Sequence, residues 1–117
     1  MNPDSLADLI RAAVAFRDQR DWAQFHSPKE LAISLAVESA ELIQLMQWFK
    51  GEELDRVIRE KRDHLKDELA DVLFSVLLLA NELKVDLGQA FLDKLDKTAA
   101  KYPVERSKGS AKKYTEL

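Results

Sequence analysis

The sequence contains no cysteine, and among its 117 residues it has only three glycines and three prolines. Without cysteine the chain has no disulfide, no thiolate metal site and no cysteine nucleophile. Because the turns between strands favour glycine and proline, their scarcity points to a mostly helical protein. The length suits one compact domain. We therefore predict an all-α fold in a single domain that spans residues 1–117.

A surplus of basic residues and a long apolar run are also missing. The net charge is −3, whereas a protein that binds duplex nucleic acid needs a basic stripe. The longest apolar run, VLFSVLLLA, is too short to cross a bilayer. The first residues, MNPDSLADLI, lack the basic and apolar regions of a signal peptide. These absences predict a cytoplasmic protein that binds neither nucleic acid nor membranes.

The second of the predicted helices has a clear start. Ser27 is a capping residue, Pro28 suits the first turn, and Glu30 completes a Ser-x-x-Glu capping box. We expect this helix to continue to about Lys50, with Gly51 as its C-terminal cap.

Other segments follow from helical spacing of apolar residues. A charged piece, EELDRVIRE, either joins the helix after it or is separated from it by a kink near Lys61. Asp86 and Gln89 resemble a weaker capping box that opens a further helix. Besides residues 28–50, the predicted helices cover residues 5–20, 52–60, 64–84 and 87–101, and residues 102–117 are expected to form an extended tail.

Two carboxylates stand in the most apolar part of the second helix. Glu38 occupies a position in its core seam, and Glu41 lies one turn further on, beside that seam. The seam itself comprises Leu31, Leu35, Glu38, Leu42, Leu45 and Phe49.

The helix predicted over residues 64–84 carries a similar acidic pair. Glu68 and Asp71, again three residues apart, flank a predicted seam of Leu65, Leu69, Val72, Val76, Leu79 and Leu83. Residues 72–80 are apolar all round except Ser75, so we expect this helix to be central and a partner subunit to help cover it.

If the two apolar faces meet, four carboxylates converge in a poorly solvated place. Such a group is costly unless it is protonated or neutralised by a cation. Oxygen ligands without cysteine or a suitably placed histidine favour Mg²⁺ or Mn²⁺. Mg²⁺ commonly binds substrate phosphates, which points to phosphoanhydride chemistry. Acidic pairs at this spacing are also common on solvated helix faces, so the pattern alone leaves that alternative open.

The two acidic motifs and their flanks resemble the MazG-like all-α NTP pyrophosphohydrolases. The motifs are Glu38-x-x-Glu41 and Glu68-x-x-Asp71. Their flanks RDWAQFH, QWF, ELADVL, VDLGQAF and KYPVERSKGSAKKYTEL are similar to those of the dCTP pyrophosphatase branch. The resemblance covers residues 16–117. It implies a four-helix-bundle fold, assembly as a homodimer or homotetramer, and Mg²⁺-dependent hydrolysis of nucleoside triphosphates to the monophosphate and pyrophosphate.

The resemblance also implies roles for individual residues. Glu38, Glu41, Glu68 and Asp71 would be the metal ligands, with Glu41, and Glu38 beside it, also catalytic. Glu41 is the residue expected to orient the attacking water. Base binding would fall to three residues next to the motifs, Trp22, His26 and Trp48. An aromatic face can stack on a base, and an indole or imidazole N–H can bond its edge.

Lysines are the expected partners of the phosphates. The resemblance points to Lys94, and Lys108 in the tail is a second candidate; for each, a solvated surface lysine is the alternative. The chain departs from many relatives at Ser75, where they carry an aromatic residue that helps to enclose the base.

The predicted function is removal of unwanted nucleoside triphosphates, with dCTP or modified cytosine nucleotides as the preferred substrates. Two alternatives remain at this point. One is a non-catalytic helical module that binds nucleotides. The other is a structural bundle whose acids pair with lysine or arginine. Neither alternative needs all four acids.

Overall fold

The computed structural model describes residues 1–117, and it contains helices but no strand. The predicted all-α class is therefore confirmed. Single 3₁₀ turns occupy Ala23–Phe25 and Tyr114–Glu116. The α-helices are α1 (Leu6–Gln19), α2 (Pro28–Gln44), α3 (Gly51–Glu60), α4 (Arg62–Glu82), α5 (Leu87–Lys101) and α6 (Val104–Ser107).

Side-chain caps fix the starts of three helices. The Ser5 hydroxyl accepts a hydrogen bond from the Asp8 backbone N–H at 3.3 Å at the start of α1. The Ser27 hydroxyl does the same for α2, and the Asp86 carboxylate for α5. Each cap satisfies a backbone donor that the first helical turn leaves without a partner. The starts predicted at Ser27 and Asp86 are thus confirmed.

The chain divides into two compact units, Met1–Lys84 and Val85–Leu117. In the first unit α4 packs against α1, α2 and α3, so it is the central helix, as predicted. Its core includes Leu31 of α2, Val57 of α3, and Leu77 and Leu78 of α4. Leu78 is fully buried.

The buried face of α4 differs from the predicted seam. Leu69 and Leu83, two members of that seam, are 57% and 54% exposed. The deepest positions are instead Ser75 and Leu78. Asp71 lies four residues before Ser75, and Glu68 lies three residues before Asp71. This helical spacing puts both acids on the same side of α4 as the two buried residues.

The second helix is shorter than predicted. It ends at Gln44 and not near Lys50, and the backbone N–H groups of Met46 and Gln47 both donate to the carbonyl of Ile43. Gly51 does adopt a left-handed conformation, with φ of +61°, but it begins α3 and does not cap α2. Of the two alternatives left open for the charged segment, the structure shows the separation near Lys61, because α3 ends at Glu60 and α4 begins at Arg62.

A buried ion pair joins the first helix to the central one. Arg17 of α1 is 7% exposed, and its Nη1 donates to Oε1 of Glu82 on α4 at 2.6 Å. Its Nε donates to Asp18 at 3.0 Å. Buried charges in proteins are paired in this way because an isolated one is costly.

The second unit contains α5, α6 and the 3₁₀ turn at Tyr114–Glu116. Residues 102–117, which were expected to be extended, thus include two short helical pieces. The Tyr102 and Tyr114 rings meet edge to face at 5.9 Å, and Lys101 Nζ lies 4.8 Å from the centre of the Tyr114 ring. That the whole chain forms a single domain stays a prediction.

None of the helices combines the length with the apolar character that a membrane span requires.

Candidate active site

Three of the four predicted acids meet between α2 and α4. One carboxylate oxygen each from Glu38, Glu41 and Glu68 lies within 4.8 Å of the other two. Glu38 and Glu41 are one turn apart on α2, and Glu68 comes from the helix packed against it. Glu68 is largely covered, with 12% of its side chain exposed, whereas Glu41 is exposed.

Two oxygens of this group lack any hydrogen-bond partner. They are Oε2 of Glu38 and Oε2 of Glu68, and both are buried. Buried carboxylate oxygens normally accept hydrogen bonds or bind cations, because an unpaired one is costly. A divalent cation would satisfy both oxygens at once, so the residues fit the metal site that the sequence predicts.

The surroundings of Glu38 disfavour the charged form of its carboxyl group. Burial of its carboxyl, a hydrogen bond with Glu41, and the negative charges of Glu41, Asp71 and Glu68 raise its pKa from 4.5 to about 7. Each of these effects disfavours the charged form of Glu38. A cation would reverse this preference, because it stabilises the carboxylate. Asp71 lies outside the three-residue group but contributes to its negative potential.

An apolar pocket of about 640 Å³ adjoins the acids. Glu38 and Asp71 form its polar border. The rest of its lining is apolar or aromatic and comes from α1, from Trp22 just before the first 3₁₀ turn, and from α4: Leu9, Ala12, Ala13, Phe16, Trp22, Ala70, Leu73, Phe74 and Leu77. A mostly apolar cavity with a few convergent polar groups is the usual form of a small-molecule site.

Aromatic rings form a connected wall in this pocket. The Phe16 ring meets Trp22 edge to face at 5.8 Å and Phe74 at 5.9 Å. The guanidinium of Arg20 lies 3.6 Å from the centre of the Phe16 ring. His26 meets Trp22 at 6.4 Å, and its Nδ1 is buried without a hydrogen-bond partner. These rings offer stacking surface, and His26 offers an unused polar atom beside it.

The structure does not bring all the predicted base-binding residues together. Trp22 lines the pocket and His26 packs against it. Trp48 follows the end of α2, is 81% exposed and does not line this pocket. Its assignment to the substrate stays a prediction, as do those of Trp22 and His26.

The two lysines predicted to contact phosphates belong to the second unit. Lys94 is exposed on α5, and Lys108 is exposed directly after α6. Their roles also stay predictions. Arg17, which lies next to Phe16 in the sequence, has its guanidinium engaged by Glu82 and Asp18.

Sequence analysis missed Phe16 and Phe74. A signal for Phe74 exists, because it follows Asp71 by three residues and so lies on the same side of α4. The sequence-based expectation concerned the next residue, Ser75. Ser75 is 4% exposed and belongs to the core, while the neighbouring Phe74 contributes the aromatic ring to the pocket.

Comparison with known proteins places the chain among nucleotide-hydrolysing enzymes. A MazG-like family model matches residues 33–117. The chain is 42% identical over 115 residues to dCTP pyrophosphatase 1 of Bos taurus and 38% identical over 115 residues to that of Homo sapiens. Both alignments cover 97% of this chain and 68% of the relative. A crystal structure of a pyrophosphatase from Archaeoglobus fulgidus superposes with a TM-score of 0.79 at 31% identity, covering 88% of this chain and 96% of that one.

Proposed function

The chain belongs to the MazG-like family, as its acidic motifs predicted, and on that premise we propose that it hydrolyses nucleoside triphosphates to the monophosphate and pyrophosphate in a Mg²⁺-dependent reaction. One observation carries the proposal. Three carboxylates with two unpartnered buried oxygens adjoin an aromatic pocket of about 640 Å³. The carboxylates suit a cation that holds phosphates, and the aromatic pocket suits a base.

The proposed roles follow from this arrangement. Glu38, Glu41, Glu68 and Asp71 hold the cation. When bound, Mg²⁺ would supply charge neutralisation for the triphosphate and activation of the attacking water. Mn²⁺ prefers the same oxygen ligands and is the proposed substitute. Glu41 is the most accessible of the three clustered acids, which supports a role in orienting that water.

Trp22 and His26 are proposed to hold the base, together with Phe16 and Phe74. Stacking on aromatic faces tolerates different bases, because every base has a π-face. The preference therefore depends on the pocket's shape and on the few polar atoms at its edge. The likeness to dCTP pyrophosphatase 1 supports dCTP or modified cytosine nucleotides as the preferred substrates. Removal of such nucleotides from the cellular pool is the proposed role.

We also propose a homodimer or homotetramer. Several large apolar side chains on α2 and α4 stay exposed in the single chain, among them Ile33, Val37, Ile43 and Leu69. Burial of such side chains between subunits would remove apolar surface from water, which supports the proposed assembly. Light scattering at micromolar concentration tests this part, and a monodisperse monomer would contradict it.

The reaction is tested by pyrophosphate release from a panel of dNTPs and NTPs, with Mg²⁺ and with EDTA. We expect Mg²⁺-dependent release that falls more than about 100-fold in Glu41→Gln, since even indirect partners of a metal cost 10–100-fold. Glu52→Gln is the matched control, because it removes one exposed carboxylate on α3. Release that is unaffected by EDTA or by Glu41→Gln would contradict the proposal.

The alternatives give different results in the same experiment. A non-catalytic nucleotide-binding module would show thermal stabilisation by nucleotide without pyrophosphate release. A purely structural bundle would show neither.

A further inference from the structure

The two oxygens of Glu68 have different surroundings. His64 lies one helical turn earlier on α4, and its Nε2 is 3.4 Å from Glu68 Oε1. The other oxygen, Oε2, is buried and has no hydrogen-bond partner. His64 itself is 58% exposed, whereas Glu68 is 12% exposed. The imidazole thus stands at the solvent side of the acidic group and covers one oxygen of an otherwise buried carboxylate.

We propose that His64 is a positioning residue for the cation site: it occupies Oε1 of Glu68 and so leaves only Oε2 for the cation. The inference rests on the proposed function, because it concerns the cation that the function requires. No lysine or arginine contacts any of the three clustered acids, so His64 is the one basic side chain beside them. The contact with Glu68 lies within α4, because His64 is one turn before it on the same helix.

Binding through a single oxygen has a consequence for the choice of cation. Mg²⁺ requires near-ideal octahedral geometry, whereas Ca²⁺ accepts six to eight oxygens and readily takes both oxygens of one carboxylate. A Glu68 that is held by His64 favours the smaller ion. If Glu68 were free to rotate, both of its oxygens would become available, and the site would accept the larger ion more easily.

A simpler reading is that His64 and Glu68 form an ordinary surface pair at i, i+4. Such pairs contribute little to stability and do so with or without a cation. The two readings differ in one measurable respect. A surface pair affects the melting temperature of the cation-free protein, whereas a positioning residue changes the apparent Kd for the cation, obtained from the dependence of Tm on cation concentration.

The experiment is thermal unfolding of the full chain at pH 8, without nucleotide, over a range of Mg²⁺ and separately Ca²⁺ concentrations. The variants are His64→Leu, which removes the imidazole nitrogen, and His64→Gln, which keeps an N–H donor near the same place. Arg56→Ala is the control, because it breaks pairs with Glu53 and Glu60 on α3 that do not involve the acidic group.

For His64→Leu we expect the apparent Kd for Mg²⁺, obtained from the dependence of Tm on Mg²⁺ concentration, to rise about 10- to 100-fold, the usual effect of losing a partner of a metal ligand. The apparent Kd for Ca²⁺ should rise less, so that the preference of the site for Mg²⁺ over Ca²⁺ becomes smaller. His64→Gln should stay close to the wild type, and Arg56→Ala should leave both values unchanged. A Mg²⁺ value for His64→Leu within about twofold of the wild type would overturn the inference, as would equal losses for His64→Leu and His64→Gln.

Failure of the inference and failure of the proposed function are distinguishable. If the wild type is stabilised by Mg²⁺ and releases pyrophosphate while His64→Leu behaves like it, only the role of His64 is overturned. If the wild type shows neither cation-dependent stabilisation nor pyrophosphate release, both are overturned.

Discussion

Replacing Glu38 by glutamine should stabilise the cation-free protein at pH 8 and have little effect at pH 5. Glu38 has a pKa of about 7 in the folded protein, against an ordinary value of 4.5. At a pH between these two pKa values, the folded state therefore binds the proton of Glu38 more tightly than the unfolded state does. The contribution of Glu38 to stability is therefore fully present below pH 4.5 and is lost as the pH rises through 7.

The size of the effect follows from the shift. One pKa unit corresponds to about 1.4 kcal/mol, so a shift from 4.5 to about 7 amounts to at most about 3 to 4 kcal/mol. Glu38 is only half-buried, and solvent screening makes this an upper limit. For a chain of this length, about 3 kcal/mol corresponds to roughly 10 °C in Tm. Glutamine cannot ionise, so Glu38→Gln avoids this loss.

The assay is thermal unfolding in EDTA at pH 5, 6, 7 and 8 for the wild type and Glu38→Gln. We expect the Tm difference between variant and wild type to grow by up to about 10 °C from pH 5 to pH 8. Glu52→Gln serves as the control for the loss of one carboxylate outside the acidic group. Added Mg²⁺ should stabilise the wild type more at pH 8 than at pH 5, because the cation and the proton compete for the same oxygens. A Tm difference that stays constant within about 2 °C across this range would refute the reasoning.

Three further predictions concern single side chains. Trp22→Ala should raise KM for dCTP about tenfold with little change in kcat, because base stacking is worth 1–3 kcal/mol; a raised KM for Trp48→Ala alone would place the base elsewhere. Arg17→Met should lower the free energy of unfolding by about 2 kcal/mol in urea denaturation, since it leaves Glu82 without its partner, and an unchanged value would show that solvent satisfies Glu82. Leu78→Ala should cost about 3 kcal/mol in the same assay, because Leu78 is fully buried; a loss below about 1 kcal/mol would mean that the core collapses around the cavity.

The helix starts were predictable from the sequence because their signals are local. Ser27 and Asp86 each accept a hydrogen bond from a backbone N–H three residues on, and this geometry needs no contact with the rest of the molecule. The end of α2 had no such signal. The letters IQLMQWF contain no glycine or proline, so side-chain preference alone allows the helix to continue to Lys50.

The acidic group was predictable for a different reason. Carboxylates inside an apolar helix are costly, so Glu38 stood out against its neighbours. Phe16 and Phe74 did not, because an aromatic residue in an apolar stretch looks the same in the sequence whether it fills a core or lines a cavity. Only the packing of α1 against α4, with Trp22 beside Phe16, separates these two cases.

The central helix α4 also fixes the distance between the acidic group and the aromatic rings of the pocket. Glu68 and Phe74 are six residues apart on α4, and at 1.5 Å per residue their Cα atoms are about 9 Å apart along the axis. Because the backbone hydrogen bonds keep the rise per residue constant, the distance along α4 between the acidic group and the aromatic wall is fixed. In the proposed mode of binding, this fixed distance separates the site for the phosphates from the site for the base. A ligand with a longer or shorter sugar–phosphate linkage would reach only one of the two ends.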